Sequence, residues 1–203
     1  MNRLLTAACA AILLCLSAAA AGGQAVPAAT TQTSPAGRAP APLAIPNPHY
    51  ASIYMEIDVN RPAVDVWKRV GKYCDIGEWF QTSCTILSGT DGEVGVVRSI
   101  GNEVMVGKTE LSYTYTQPVR EGRPYNLYHG TLEARPVTAT TSKLVYTLMF
   151  DNSMLADDAA RDADIASRRT RFMDGLKNMK ILAEGGTLPP PPARGQGGAA
   201  APR

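Results

Sequence analysis

Histidine is nearly missing from this 203-residue chain, which holds two, and the large apolar aromatics are scarce, at two tryptophans and three phenylalanines. His49 and His129 lie far apart, and neither has a cysteine at metal-ligand spacing, so no zinc site is expected. Also absent are a nucleophile elbow, a glycine-rich phosphate loop, an HExxH helix and any paired-carboxylate motif. These gaps exclude the common metal, nucleotide and triad chemistries, and no cofactor is expected. A surplus of one charge is lacking too. The chain carries 20 Lys and Arg against 18 Asp and Glu. Arg3, Arg38, Arg194 and Arg203 fall in flanking segments, however, and removing these four leaves 16 cations against 18 anions, a net of −2. Such a domain has no electrostatic footprint for nucleic acid or an anionic membrane.

Long apolar runs are equally wanting. The only one, Leu4 to Leu16, is broken by Thr6 and is too short for a bilayer core of about 30 Å, which takes roughly 20 apolar residues. Preceded by Arg3 and followed by small residues up to Gly23, it has the order of a secretory signal peptide over 1–25. Cys15 follows Ile12, Leu13 and Leu14 rather than small residues, so a lipid anchor is not expected and no stable membrane anchor remains. The expected location is periplasmic or secreted. An Ala/Pro-rich stretch over 26–48 and a Pro/Gly/Ala tail over 187–203 cannot bury enough surface to offset ordering entropy. They read as disordered, leaving one domain over 49–186. Of four cysteines, Cys74 and Cys84 alone fall in that domain. Export favours a disulfide between them, with two half-buried thiols as the alternative.

Within the domain, Ile53, Met55, Ile57 and Val59 share one face of an alternating strand over Tyr50 to Val59. Asn60 is placed to cap a helix that Pro62 opens, and a short second helix follows over Cys74 to Phe80. Strand patterns then occupy Ser83–Leu87, Val94–Ile100, Thr109–Gln117, Tyr125–Ala134 and Lys143–Phe150, parted by turn signals that include Gly101-Asn102. From Ala156 to Glu184 there is no proline, and Ile165, Phe172, Leu176, Met179 and Ala183 recur at helical spacing. The order predicts an α+β helix-grip fold: an antiparallel sheet of about six strands wrapped around a long C-terminal helix, with two short helices after the first strand.

This order, with Pro62-Ala63-x-x-Val66-Trp67, the Gly77-Glu78-Trp79 turn, Gly95-Val96-Val97-Arg98 and Arg171-Phe172-x-x-x-Leu176, resembles the START and Bet v 1 (SRPBCC) superfamily. More narrowly, it resembles the bacterial polyketide cyclase/dehydrase-like proteins of that group. The resemblance covers Tyr50 to Glu184 and implies an internal cavity for a small hydrophobic molecule, with Trp79 and Phe80 in a loop near it.

Strand parity selects the lining. Arg98 shares a face with Val94, Val96 and Ile100; it is either a rim cation paired with a carboxylate such as Glu110, or an anchor for a ligand carboxylate or phenolate. Tyr113 and Tyr115, Tyr128 with Gly130 and Leu132, and Tyr146 fall on faces expected to turn inward. Gly130 is read as freeing volume for a ligand. His129 alternates with Tyr128 and is expected outside. Phe172, Leu176 and Met179 would close the helix wall. Two functions follow: an exported binding or carrier protein for a lipid, sterol or aromatic ligand, or a cofactor-independent cyclase, dehydratase, isomerase or lyase in which a pocket tyrosine moves protons.

Overall fold

Alternation in Tyr50–Val59 makes the first strand, β1, with Ala51, Ile53, Met55 and Val59 buried, Ile57 partly buried on the same face, and Ser52, Tyr54 and Asp58 exposed on the other. The computed structural model describes residues 45–191; the signal-peptide reading and most of both flanking tracts fall outside them. Pro62 presets the backbone for helix α1, Ala63–Val70, and its carbonyl accepts from the Val66 amide at 3.0 Å. Asn60 does not cap this helix as expected. Its backbone N–H instead donates to Glu184 Oε1 at 2.8 Å, tying the end of β1 to the C-terminal end of the last helix. Helix α2 is a single turn, Ile76–Trp79.

Six more strands follow: β2 Ile86–Ser88, β3 Val97–Arg98, β4 Glu103–Thr109, β5 Ser112–Thr116, β6 Leu127–Pro136 and β7 Ser142–Asp151. They form one antiparallel sheet in the order β1-β7-β6-β5-β4-β3-β2. The sheet therefore has seven strands where about six were expected. The addition is β4, hidden because its inward positions include a glutamate and its run contains glycine and lysine. Gly101 and Asn102 both adopt positive φ, 61° and 53°, at the centre of a tight turn closed by the Glu103 amide donating to the Ile100 carbonyl at 3.1 Å, within the four-residue connection between β3 and β4. That turn folds β4 back on β3, and the longer strand read over Val94–Ile100 shrinks to the two residues that face β4.

The last helix, α3, spans Asp158–Ala183, and the Asp157 side chain caps it by accepting from the Ala160 amide at 2.8 Å. Phe172, Leu176, Met179 and Leu182 are buried against the sheet and α1, while no residue from Asp158 to Arg171 is buried. The sheet grips the second half of the helix with apolar side chains. The first half, rich in Asp and Arg, meets the sheet through Ile165, through Arg168 over the Phe150 ring and through Arg169, which donates to the Tyr54 carbonyl at 3.0 Å.

Cys74 and Cys84 are joined, with their Cα atoms 5.4 Å apart, so the bond encloses α2 and Trp79. On the chain-entropy account, closing a loop of about ten residues stabilises by about 2–3 kcal/mol. Urea unfolding with and without a reductant should differ by this amount, and the same difference should appear for Cys84→Ser. Coincident curves would show that the bond contributes nothing.

Candidate functional site

β3 and β4 are in register at Arg98 and Glu103, which turns both side chains into the interior, where Arg98 is 0% and Glu103 4% exposed. Arg98 Nε donates to Glu103 Oε2 at 2.7 Å, and Nη2 approaches the same oxygen at 2.5 Å. Nη1 donates to the Tyr73 carbonyl at 2.6 Å, and the guanidinium lies over the rings of Tyr73 and Tyr115, at 4.3 and 4.8 Å from their centres. The expected partner Glu110 is a correction: it lies exposed beyond the end of β4, out of reach. Burial holds the Glu103 carboxyl above the usual carboxylate range, an effect that Arg98 partly offsets. Glu103 Oε1 also accepts from Gln117 Nε2 at 3.3 Å, and Gln117 accepts from the Tyr125 hydroxyl.

Around this pair the tyrosines pack as a cluster. Tyr113 and Tyr115 project from β5, Tyr128 from β6 and Tyr146 from β7, all buried; the hydroxyls of Tyr115 and Tyr146 are 2.9 Å apart. Gly130 does face inward, but it leaves no free volume. A Cβ there would lie 2.4 Å from the Tyr115 phenol, so the glycine is what lets that ring cross β6. His129 sits on the other face of β6, half-buried and paired in register with Thr116 and Met149.

The space between sheet and helices is divided. One cleft of about 560 Å³, the helix cleft, lies under the first half of α3; a second of about 670 Å³, the hairpin cleft, lies between the end of α1 and the β4–β5 hairpin. Of the expected lining, Ile100, Tyr115, Tyr128 and Phe172 reach the helix cleft and Tyr113 the hairpin cleft, while Trp79 lines a third, smaller hollow of about 270 Å³ beside Phe80. Arg98, Leu132, Tyr146, Leu176 and Met179 line none of the three, because they fill the core between them. The expectation of one cavity shared by Arg98 and four tyrosines therefore gives way to two clefts separated by those residues.

The helix cleft also contains residues that parity did not reveal: Glu103, Gln117, Arg123, Tyr125, Arg168 and Arg171. Arg168 is bound to Asp164 at 2.9 and 3.0 Å and lies 4.4 Å from the centre of the Phe150 ring. Arg171 stands 5.1 Å over the Phe80 ring, and neither it nor Arg123 forms an ion pair among the described residues. The i, i+3 spacing of Arg168 and Arg171 on α3 was the available sequence signal. With Asp164 engaged by Arg168, the cleft presents Arg123 and Arg171 as exposed cations without an ion-pair partner among the described residues, Arg171 being near enough to Glu103 to favour its charged form, alongside the phenols of Tyr115, Tyr125 and Tyr128. No group of three or more metal-ligating side chains occurs among the described residues.

A family model described as polyketide cyclase/dehydrase and lipid transport matches residues 50–184. The chain belongs to this family. Its members bind hydrophobic ligands or act as polyketide cyclases, within the SRPBCC/Bet v 1-like superfamily. Among solved structures, a Thermobifida fusca protein determined by NMR aligns with a TM-score of 0.55 at 23% identity, covering 68% of this chain and 97% of the other. The Zhui aromatase/cyclase of a Streptomyces species aligns at 0.52 and 18% identity, over 68% of this chain and all of its own (100%). A truncated norcoclaurine synthase from Thalictrum flavum aligns at 0.51 and 12%, over 66% and 94%. At these identities the family's structural neighbours share the fold. A search of curated proteins finds no match.

Burial raises the pKa of Tyr113, Tyr115 and Tyr146, and pushes Tyr128 up to about 12. All four are neutral hydrogen-bonding phenols at physiological pH. The folded values lie above the unfolded value of about 10. The unfolded chain therefore loses its protons first, and stability present below that pH is lost as pH rises towards the folded values. Each phenol contributes a slope of up to about 1.4 kcal/mol per pH unit. Tyrosinate absorbance should rise for these residues together with loss of circular dichroism, in one alkaline step. Smooth ionisation of all eight tyrosines in the folded protein would contradict their enclosure.

Proposed function

We propose that this chain is an exported binding protein for a small aromatic, polyketide-like molecule that carries an anionic oxygen, held in the helix cleft. The observation that carries this reading is the pair of exposed guanidiniums, Arg123 and Arg171, which form no ion pair among the described residues and line one cleft with Tyr115, Tyr128 and Phe172. A flat apolar body suits the rings, and a carboxylate or phenolate suits the cations, whose planar donors match such oxygens. The folded unit is taken as 49–186. Export rests on the order of Arg3, the run Leu4 to Leu16 and the small residues after it, supported by the Cys74–Cys84 bond. Among the described residues no helix is long and apolar enough to cross a membrane.

One feature favours a second reading, catalysis on an enolisable polyketide-like substrate. The Glu103 carboxyl lines the same cleft and is shifted upward by burial against the opposing pull of Arg98, the direction in which a carboxyl becomes a better proton carrier. Its bonds to Arg98 engage one oxygen; the other faces only Gln117 at 3.3 Å.

Anilinonaphthalenesulfonate, an aromatic anion, tests the binding reading. Arg171→Ala should weaken it by about 1.5–3 kcal/mol, the loss of a charged hydrogen bond, and should leave the neutral analogue phenylnaphthylamine unchanged. Equal losses for both dyes would mean that Arg171 shapes the cleft without recognising charge.

A further inference from the structure

The hairpin cleft is the larger of the two spaces, and its chemistry differs from that of the helix cleft. Its inner wall is aromatic. The Trp67 and Tyr113 rings lie 5.7 Å apart at 52°, and Tyr73 meets Tyr113 edge-on at 5.3 Å and 88°. Met105, buried, completes the wall. Gly71 sets the depth of this wall, since a Cβ there would lie 2.4 Å from the Trp67 indole and force the ring to move.

Charges at the rim cancel. Lys108 is engaged by Glu93 at 2.8 Å and by the Gly92 carbonyl at 2.7 Å. That leaves Lys68 and Lys72 on the α1 side and Asp91 and Glu110 on the opposite lip, none in an ion pair among the described residues. Two cations facing two anions select no net charge. One polar group of the wall stays unanswered: the Tyr73 hydroxyl is buried and no described residue accepts from it. Burial also keeps this phenol well above the ordinary tyrosine range, so it remains a donor. A buried donor without an acceptor is a standing cost that an incoming oxygen removes.

We infer that the hairpin cleft is a second ligand site, for a neutral planar molecule bearing one acceptor oxygen, whose body stacks on Trp67 and Tyr113 and whose oxygen accepts from Tyr73. The Arg98–Glu103 pair and its surrounding phenols separate this site from the helix cleft, with Tyr73 and Tyr113 lining one side and Glu103 and Tyr115 the other. The inference is independent of the anionic ligand assigned to the helix cleft.

The probe is prodan, a neutral naphthyl ketone whose emission reports hydrogen bonding at its carbonyl. The chain has two tryptophans, so in Trp79→Phe the remaining indole, Trp67, reports on this cleft. Saturable energy transfer from Trp67 to prodan is expected. Tyr73→Phe should weaken binding about tenfold, as for one lost hydrogen bond to a buried group, and shift the bound emission to the blue. Arg171→Ala should leave prodan affinity unchanged, and anilinonaphthalenesulfonate should not displace it. Displacement by the anion, or weakening by Arg171→Ala, would reduce the two sites to one. Absence of saturable binding, or an unshifted emission in Tyr73→Phe, would overturn the site or its hydrogen bond respectively, while leaving the Arg171 result for the helix cleft standing. If Trp79→Phe fails to fold, prodan emission with the otherwise unaltered chain and with Tyr73→Phe gives the same decision.

Discussion

A single buried ion pair organises the interior of this protein. Arg98 and Glu103 meet across the β3–β4 hairpin, nearly free of solvent, and removing one member of such a pair commonly costs about 3–5 kcal/mol because the other is left charged and unpaired. The arginine also holds the Tyr73 carbonyl and lies between two phenol rings. It therefore links β3, β4, β5 and the segment after α1. This polar centre fills what an apolar core would otherwise leave open between sheet and helices, and the two clefts are the spaces on either side of it.

The long helix imposes the second constraint. Its C-terminal half fully buries Phe172, Leu176, Met179 and Leu182, whereas its N-terminal half buries no residue fully and packs only Ile165 against the core. One half supplies stability and the other supplies a wall of charged side chains over the helix cleft. A helix apolar along its whole length would close that cleft by collapsing onto the sheet. The division of labour within one helix explains how a domain of this size keeps an open polar space beside a close-packed core.

Much of this was legible in the chain. Period-two alternation placed Tyr113, Tyr115, Tyr128 and Tyr146 inward and His129 outward, since strand parity is a rigid constraint wherever one face is buried. The helix spacing of Phe172, Leu176 and Met179 identified the gripped half of α3. What escaped was tertiary. β4 was missed because an inward Glu103 breaks the apolar alternation, and only its pairing with Arg98 makes that glutamate a core residue. Gly130 was read as space for a ligand, whereas a ring from the neighbouring strand fills it. Arg98 was weighed as a ligand anchor, yet it is consumed by the core, and the cations that do reach the helix cleft, Arg123 and Arg171, lie on a loop and a helix where strand parity says nothing. Sequence periodicity reports which face a side chain takes, but not which neighbour meets it there.

The division between a structural arginine and ligand-facing arginines is the central claim, and side-chain NMR tests it most directly. Individually assigned arginine Nε–Hε resonances, followed during titration with anilinonaphthalenesulfonate, should show saturable shifts for Arg123 and Arg171 while Arg98 stays fixed on Glu103. A shift confined to Arg98, with Arg123 and Arg171 unmoved, would contradict the account.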